Sequence, residues 1–362
     1  MPNRILGGTG MEVSNLCLGA MMFGRYGTRD HDESIRIIHR ALDAGINFID
    51  TADVYSMGES EEILSKALVG RRDDVILATK GYFSVVEGAQ TQRPKPNTSG
   101  SSRRYIIKAC EDSLRRLGTD WIDLYQVHRL DFATDLDETL GALSDLIRAG
   151  KVRAIGSSTF PVDQIVEAQW IAERRGRERF RCEQPQYSIF VRAIERQVLP
   201  TCQRHGMGVI VWSPLNAGWL SGTRRRDEGV AGAATRRARL LPSLFDMSDA
   251  ANVRKFDILD ELEVLARDFG ISLPHLAVAW TLEHPGVTSA IIGPRTMEHL
   301  EGLLGADGHK LPSELLDRID QLVPPGTNVR SGDDEPSEPW LSDATRRRRG
   351  GSRSNSTVHE HQ

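Results

Sequence analysis

Four residues near the ends of apolar runs, Asp50, Tyr55, Lys80 and His128, have the types and spacing for chemistry. A free tyrosine holds its proton to a pH of about 10, too tightly for an efficient acid near neutrality. An adjacent ammonium stabilises the phenolate and pulls that value down, the service Lys80 could give Tyr55. Asp50 would pair with Lys80 and keep it charged and aimed. His128 could donate a hydrogen bond to a substrate carbonyl oxygen and polarise it as hydride arrives. Taken singly, each has an ordinary alternative. Asp50 could cap a helix, Lys80 could be a rim salt-bridge partner, and His128 a satisfied core histidine. Their combination at successive strand ends favours a proton-delivery group.

What positions them is a rhythm of short apolar runs and amphipathic stretches. The runs lie at 16–18, 47–49, 75–78, 122–127, 152–155, 181–183, 208–211 and 289–292. Their length and apolar character suit strands buried on both faces, as a parallel sheet requires. Helical patterns fill the intervals at 32–44, 60–68, 104–117, 136–149 and 162–175, and two more, 253–269 and 274–283, precede the eighth run. Gly45 and Gly150 stand where helices stop. A hairpin-like start places Gly7, Gly8 and Gly10 between two short extended segments. Eight strands with intervening helices match an α/β (β/α)8 TIM barrel with an N-terminal β-hairpin and an extra C-terminal helix at 313–322. A doubly wound sheet shows the same alternation. Its dinucleotide signature, GxGxxG after the first strand, is absent, since Gly7-Gly8-Thr9-Gly10 neither fits nor precedes a helix.

In such a barrel the chemistry sits at the C-terminal ends of the strands. Besides the four residues above, the runs lead into Ser157-Ser158-Thr159, Gln184, Trp212-Ser213 and Gly293-Pro294-Arg295.

The 362 residues carry a net charge of -4, with 39% hydrophobic and 27% charged residues, so no basic field points to nucleic acid or membrane surfaces. Cys17, Cys110, Cys182 and Cys202 are scattered and read as reduced thiols. The start lacks a signal-peptide apolar region and no apolar run approaches the roughly 18 residues that span a bilayer, so a cytoplasmic protein is expected. Residues 1–325 form the expected barrel. Residues 326–362 read as a polar extension ending in an arginine-rich tail, 346–362, expected to be disordered, with RNA binding or targeting as its alternative use.

The chain resembles the aldo-keto reductase family. Phe48-Ile49-Asp50-Thr51-Ala52-Asp53-Val54-Tyr55 is similar to the family's Asp-x4-Tyr signature. Leu77-Ala78-Thr79-Lys80 resembles its lysine strand, and Asp123-Leu124-Tyr125-Gln126-Val127-His128 its histidine strand. The likeness runs in order from about residue 4 to 325. It implies Tyr55 as general acid, Lys80 and Asp50 as its tuning pair, and His128 as the group that orients the substrate. The motif style also resembles bacterial sugar-pathway keto-reductases.

On the cofactor side the resemblance implies NADP(H). Ala20, Met21 and Asp50 would line its site, and Ser158, Thr159 and Gln184 would hold the nicotinamide carboxamide, with Thr159 in place of the common Asn. Trp212 would stack on the nicotinamide ring, a core tryptophan being the alternative. Ser213, Pro214, Leu215, Asn216 and Gly218 would face the pyrophosphate. At the adenosine end a strand opens directly into a helix from Gly293, and Arg295 could pair with a 2′-phosphate, favouring NADPH over NADH. His299, Gly302 and Leu303 stand where the family has Gln, Glu and Asn. The basic stretches 224–226 and 236–239 could clamp the cofactor or form a solvated loop.

A small carbonyl substrate would be walled by Met22, Phe23, Met57, residues 81–83, Arg129, Leu130 and Trp219. Residues 85–102 could form a lid or a disordered insertion. The function expected is NADPH-dependent reduction of an aldehyde or ketone. Two alternatives stay open: a non-catalytic NADP(H)-binding subunit, and a metal-dependent hydrolase built on Asp50, Asp53, His128 and Asp131. The second lacks an HxH pair or a Cys/His cluster.

Overall fold

Short apolar runs become strands here because backbone buried on both faces is satisfied only inside a sheet that helices cover. The computed structural model describes residues 2–86, 95–223, 242–331 and 333. An antiparallel pair comes first, β1 (Asn3–Ile5) and β2 (Glu12–Ser14). Eight parallel strands follow: β3 (Leu16–Gly19), β4 (Phe48–Asp50), β5 (Ile76–Gly81), β6 (Ile122–Val127), β7 (Val152–Ser158), β8 (Cys182–Gln184), β9 (Gly208–Val211) and β10 (Ser289–Ile292). They pair in chain order and close through β10 against β3. The expected barrel is what forms.

The helices among the described residues are α1 (His31–Asp43), α2 (Glu59–Ala67), α3 (Arg103–Leu117), α4 (Leu136–Arg148), α5 (Val162–Arg175), α6 (Val198–Arg204), α7 (Ala250–Asp268), α8 (Leu273–Glu283), α9 (Met297–Glu301) and α10 (Ser313–Leu322). Side-chain caps set several starts. Asp30, Ser102, Asp135 and Asp249 each accept a backbone N–H from the first turn of α1, α3, α4 and α7. The Asp249 cap lets α7 begin three residues before the apolar pattern does. The short α6 is an element the apolar periodicity did not reveal.

Strand alternation divides the barrel residues into two sets. Cys17, Phe48, Ala78, Leu124, Ala154, Cys182, Ile210 and Ile291, one from each barrel strand, form a single buried cluster with Leu6 and Val13 of the hairpin region. The intervening positions join the larger core that the helices cover. The hairpin therefore closes the N-terminal end of the barrel. Gly7 is required there: at φ +53° a Cβ would lie 2.5 Å from the Arg181 carbonyl oxygen. Arg4 fastens the hairpin by donating to the carbonyls of Val287 and Leu282.

Beyond α10 the chain keeps packing on the barrel. Asn328 Oδ1 accepts from the N–H groups of Arg192 and Ala193, and Asp333 receives a hydrogen bond from the buried Lys255 Nζ at 2.8 Å. The arginine-rich tail and the basic stretches 224–226 and 236–239 lie outside the described residues.

Candidate active site

Two residues beyond the buried cluster along each strand, the same alternation brings a second set of side chains to the interior: Asp50, Lys80, Gln126, Gln184 and Trp212, with Gly19, Gly156 and Gly293 between them. This set faces the C-terminal end of the barrel. Gly156 leaves necessary room, since a Cβ there would sit 2.8 Å from the Cys182 carbonyl oxygen.

The polar members of the set form one network. Lys80 Nζ, fully buried, donates to Asp50 Oδ2 at 2.5 Å and to the Thr51 carbonyl at 2.8 Å, and lies 3.5 Å from the Tyr55 hydroxyl. The other carboxylate oxygen, Asp50 Oδ1, accepts from Gln184 Nε2 at 2.9 Å and Gln126 Nε2 at 3.2 Å. Burial alone would lower the Lys80 pKa. The Asp50 charge, then Tyr55, reverse that effect and hold the ammonium above its ordinary value. Lys80 is thus a fixed positive charge against the tyrosine oxygen.

His128 follows β6 and borders the same space. Its ring meets Tyr55 edge-on, with centroids 5.9 Å apart, and meets Phe83 at 5.0 Å. Burial first, then the charges of Lys80 and Arg129, push its pKa well below the ordinary imidazole value. A neutral ring at neutral pH donates from one nitrogen and adds no charge to the site. Buried Nδ1 has no hydrogen-bond partner among the described residues.

Tyr55 reaches this point on a tightly wound segment after β4. Ser56, Met57 and Gly58 follow it at φ 52°, 59° and 93°. Ser56 Oγ donates to the Phe23 carbonyl at 3.0 Å and accepts from Tyr26 N–H at 3.1 Å, pinning the turn to the loop after β3. That loop begins at Ala20, whose N–H bonds to the Asp50 carbonyl at 2.8 Å, and exposes Met21 at the rim.

The expected cofactor residues lie on the same rim. Ser158 Oγ donates to the Gln184 carbonyl at 3.0 Å, and Thr159 N–H does so at 3.1 Å. Gln184 spends its amide nitrogen on Asp50 and Gln126, leaving its amide oxygen able to accept. Trp212 is half-buried against the inner cluster. Ser213, Pro214, Leu215, Asn216 and Gly218 form a succession of tight turns in which Asn216 N–H bonds to Ser213 and Gly218 N–H to Leu215. Lys255 Nζ bears on this loop through Asn216 Oδ1 at 3.4 Å.

At the far end, Gly293 is exposed and the Arg295 carbonyl is held by Thr28 Oγ1. The Arg295 guanidinium makes no hydrogen bond or ion pair among the described residues. The strand does not open directly into a helix: residues 293–296 intervene, and five-residue α9 starts only at Met297. Thr296 takes the His299 N–H, and the Arg295 side chain directly precedes this short helix end as a cation that an anion here could meet. The His299 side chain is exposed.

The substrate wall differs from expectation at two places. Phe23 is buried, and Trp219 stacks on Phe245 with centroids 5.6 Å apart inside the core. Residues 87–94 of the expected lid lie outside the described residues. The part that follows is anchored, with Gly100 N–H on the Tyr82 carbonyl and Ser101 N–H on Asp131. Gln126 is a network member that the pattern of strand-end residues does not single out. Its signal is its position in β6 two residues before His128, the alternation that carries Leu124 and Gln126 to the barrel interior. Among the described residues no three or more His, Cys, Asp or Glu are grouped to hold a metal ion. Asp50 is committed to Lys80 and Asp131 to its own turn.

Comparison with known proteins agrees with this geometry. Residues 15–324 match the aldo/keto reductase family. The chain is 37% identical over 333 residues to the oxidoreductase YrpG of Bacillus subtilis, covering 90% of this chain and 96% of that protein. It is 34% identical over 342 residues to versiconal hemiacetal acetate reductase of Aspergillus parasiticus, covering 88% and 96%. It is also 32% identical over 337 residues to a probable voltage-gated potassium channel subunit beta of Arabidopsis thaliana, covering 89% and 97%. With the family match spanning the whole barrel, the chain belongs to the aldo/keto reductase family and, with its relatives named oxidoreductase and reductase, is an oxidoreductase acting on carbonyl groups.

Proposed function

We propose that this enzyme reduces an aldehyde or ketone with NADPH, using Asp50, Tyr55, Lys80 and His128 as its proton-delivery group. The observation that carries the reading is the position of Lys80 Nζ, between the Asp50 carboxylate and the Tyr55 hydroxyl and shut off from water. The residues present fit a nicotinamide cofactor: Gln184 keeps an accepting oxygen, Trp212 offers a half-exposed ring, and Arg295 an uncommitted guanidinium. When bound, the cofactor supplies the hydride that goes to the carbonyl carbon.

The chain's own residues handle the proton. Tyr55 gives its hydroxyl proton to the carbonyl oxygen as negative charge develops there. The Lys80 ammonium stabilises the phenolate left behind, most strongly in a buried site where charges are weakly screened. Asp50 keeps Lys80 ionised, and Gln126 and Gln184 hold Asp50 in place. Neutral His128 donates a hydrogen bond to the same carbonyl oxygen without competing for the proton. Ser158, Thr159 and Gln184 would hold the carboxamide, Ser213, Pro214, Leu215, Asn216 and Gly218 the pyrophosphate, and Arg295 a 2′-phosphate. No described helix is long and apolar enough to cross a membrane, and a cytoplasmic enzyme acting on a small carbonyl compound is the setting proposed. Loss of NADPH absorbance over a panel of aldehydes and ketones tests the reading; no turnover with any of them, despite NADPH binding, counts against it.

That outcome would favour a second reading, a cofactor-binding subunit of a larger assembly. It draws support from the relative named as a potassium channel subunit.

A further inference from the structure

Thr159 lies at φ +56°, in the left-handed region. A β-branched residue is strained there, whereas asparagine enters that region more readily than other residues with side chains. Strain of this kind persists only where surrounding contacts over-determine the backbone. Those contacts can be named. Thr159 N–H is held by the Gln184 carbonyl at 3.1 Å, and Thr159 Oγ1 accepts from Arg129 Nη1 at 3.4 Å. Arg129 Nη1 also donates to the His128 carbonyl at 2.7 Å.

Glu183 supplies the rest. It alternates with inward-facing Cys182 and Gln184, so it lies on the outer face of β8, fully buried. Its carboxylate accepts from Ser157 Oγ and, at 3.1 Å, from Phe160 N–H. No cation lies within ion-pair distance among the described residues. Burial pushes its pKa up to about 7, against the hydrogen bonds from Ser157, Phe160 and Thr159 and the more distant charge of Arg129. A buried acid without an ion-pair partner at contact distance is costly to keep, and its donors, Ser157 Oγ and the N–H groups of Phe160 and Thr159, all lie within residues 157–160.

Resting on the reading that Ser158 and Thr159 hold the nicotinamide carboxamide, we propose that Glu183 is a positioning residue. It braces residues 157–160 from behind and keeps Thr159 left-handed, so that the turn is already shaped for the cofactor. The brace compensates for a threonine where the backbone favours asparagine or glycine.

The experiment is a double-mutant cycle read by NADPH quenching of tryptophan fluorescence and by the Tm of the unliganded protein. Glu183→Ala should weaken NADPH binding about tenfold, and Glu183→Gln, which keeps an acceptor for Phe160 N–H, should stay close to wild type. Thr159→Asn added to Glu183→Ala should restore most of the affinity, because asparagine holds the left-handed turn without the brace. A buried residue with a merely structural role would show no such rescue. Thr159→Asn alone, which folds with Glu183 in place, should raise Tm and bind NADPH at least as well as wild type. Unchanged binding in Glu183→Ala, failure of the rescue, or a lower Tm for Thr159→Asn would each overturn the brace. If the wild-type protein itself does not bind NADPH, the cofactor reading falls and the brace with it. The wild-type control separates the two failures.

Discussion

The Lys80 ammonium and the Asp50 carboxylate meet at 2.5 Å with both side chains shut off from water. Two glutamine amides occupy the second carboxylate oxygen. A buried ion pair is poor value for stability alone, since desolvation cancels much of the attraction. Its worth here is a positive charge that stays fixed beside Tyr55.

Removing one partner should therefore hurt twice. Asp50→Asn should lower kcat by about 10²–10⁴ and destabilise the fold by about 3–5 kcal/mol, because the buried ammonium loses its counter-charge. Replacing both groups, with Asp50→Leu and Lys80→Met, should return much of the stability and none of the turnover. Denaturant melts beside turnover assays check both halves; recovered activity in the double variant would sink the assigned roles.

His128 gives a pH prediction with a definite sign. Its folded pKa lies well below the ordinary 6.5, so the unfolded chain binds a proton there more readily than the fold does. Its contribution to stability is fully present above about 6.5 and is lost as pH falls through the depressed folded value. Comparing Tm against pH for wild type and His128→Gln should show the wild type losing more stability on acidification. Turnover should show no histidine ionisation between pH 6.5 and 8, and an inflection there that His128→Gln abolishes would contradict a neutral ring.

In the proposed function Arg295 is the residue that would set a preference for NADPH. Arg295→Ala should weaken NADPH binding by about 10–100-fold, the worth of a charge-assisted hydrogen bond, while NADH binding stays as it was. Equal losses for both cofactors would place Arg295 elsewhere than on a 2′-phosphate.

Much of this site could be read from the chain because the barrel sets rank by strand order. Asp50, Lys80 and His128 stand at the ends of successive apolar runs, so one fold-level rule puts them on one rim. Gln126 escaped notice because it lies inside an apolar run, where only the pairing of Gln126 with Lys80 across β5 and β6 reveals its neighbours. Glu183 escaped for a similar reason: its donors come from the end of the neighbouring strand and the turn beyond. Trp219 misled because an aromatic residue after a strand end can turn into the core as readily as toward substrate. Pattern gives the face of a strand; register and loop path decide what it meets.

Proton delivery from the Tyr55 hydroxyl is the step of the proposed reaction most directly open to measurement. Tyr55→Phe removes that one oxygen while leaving Lys80 its bonds to Asp50 and Thr51. Measured side by side, NADPH should quench the tryptophan fluorescence of the variant as it does the wild type, while reduction of an aldehyde that the wild type turns over should be abolished. A Tyr55→Phe enzyme that binds NADPH and keeps full activity would contradict the account.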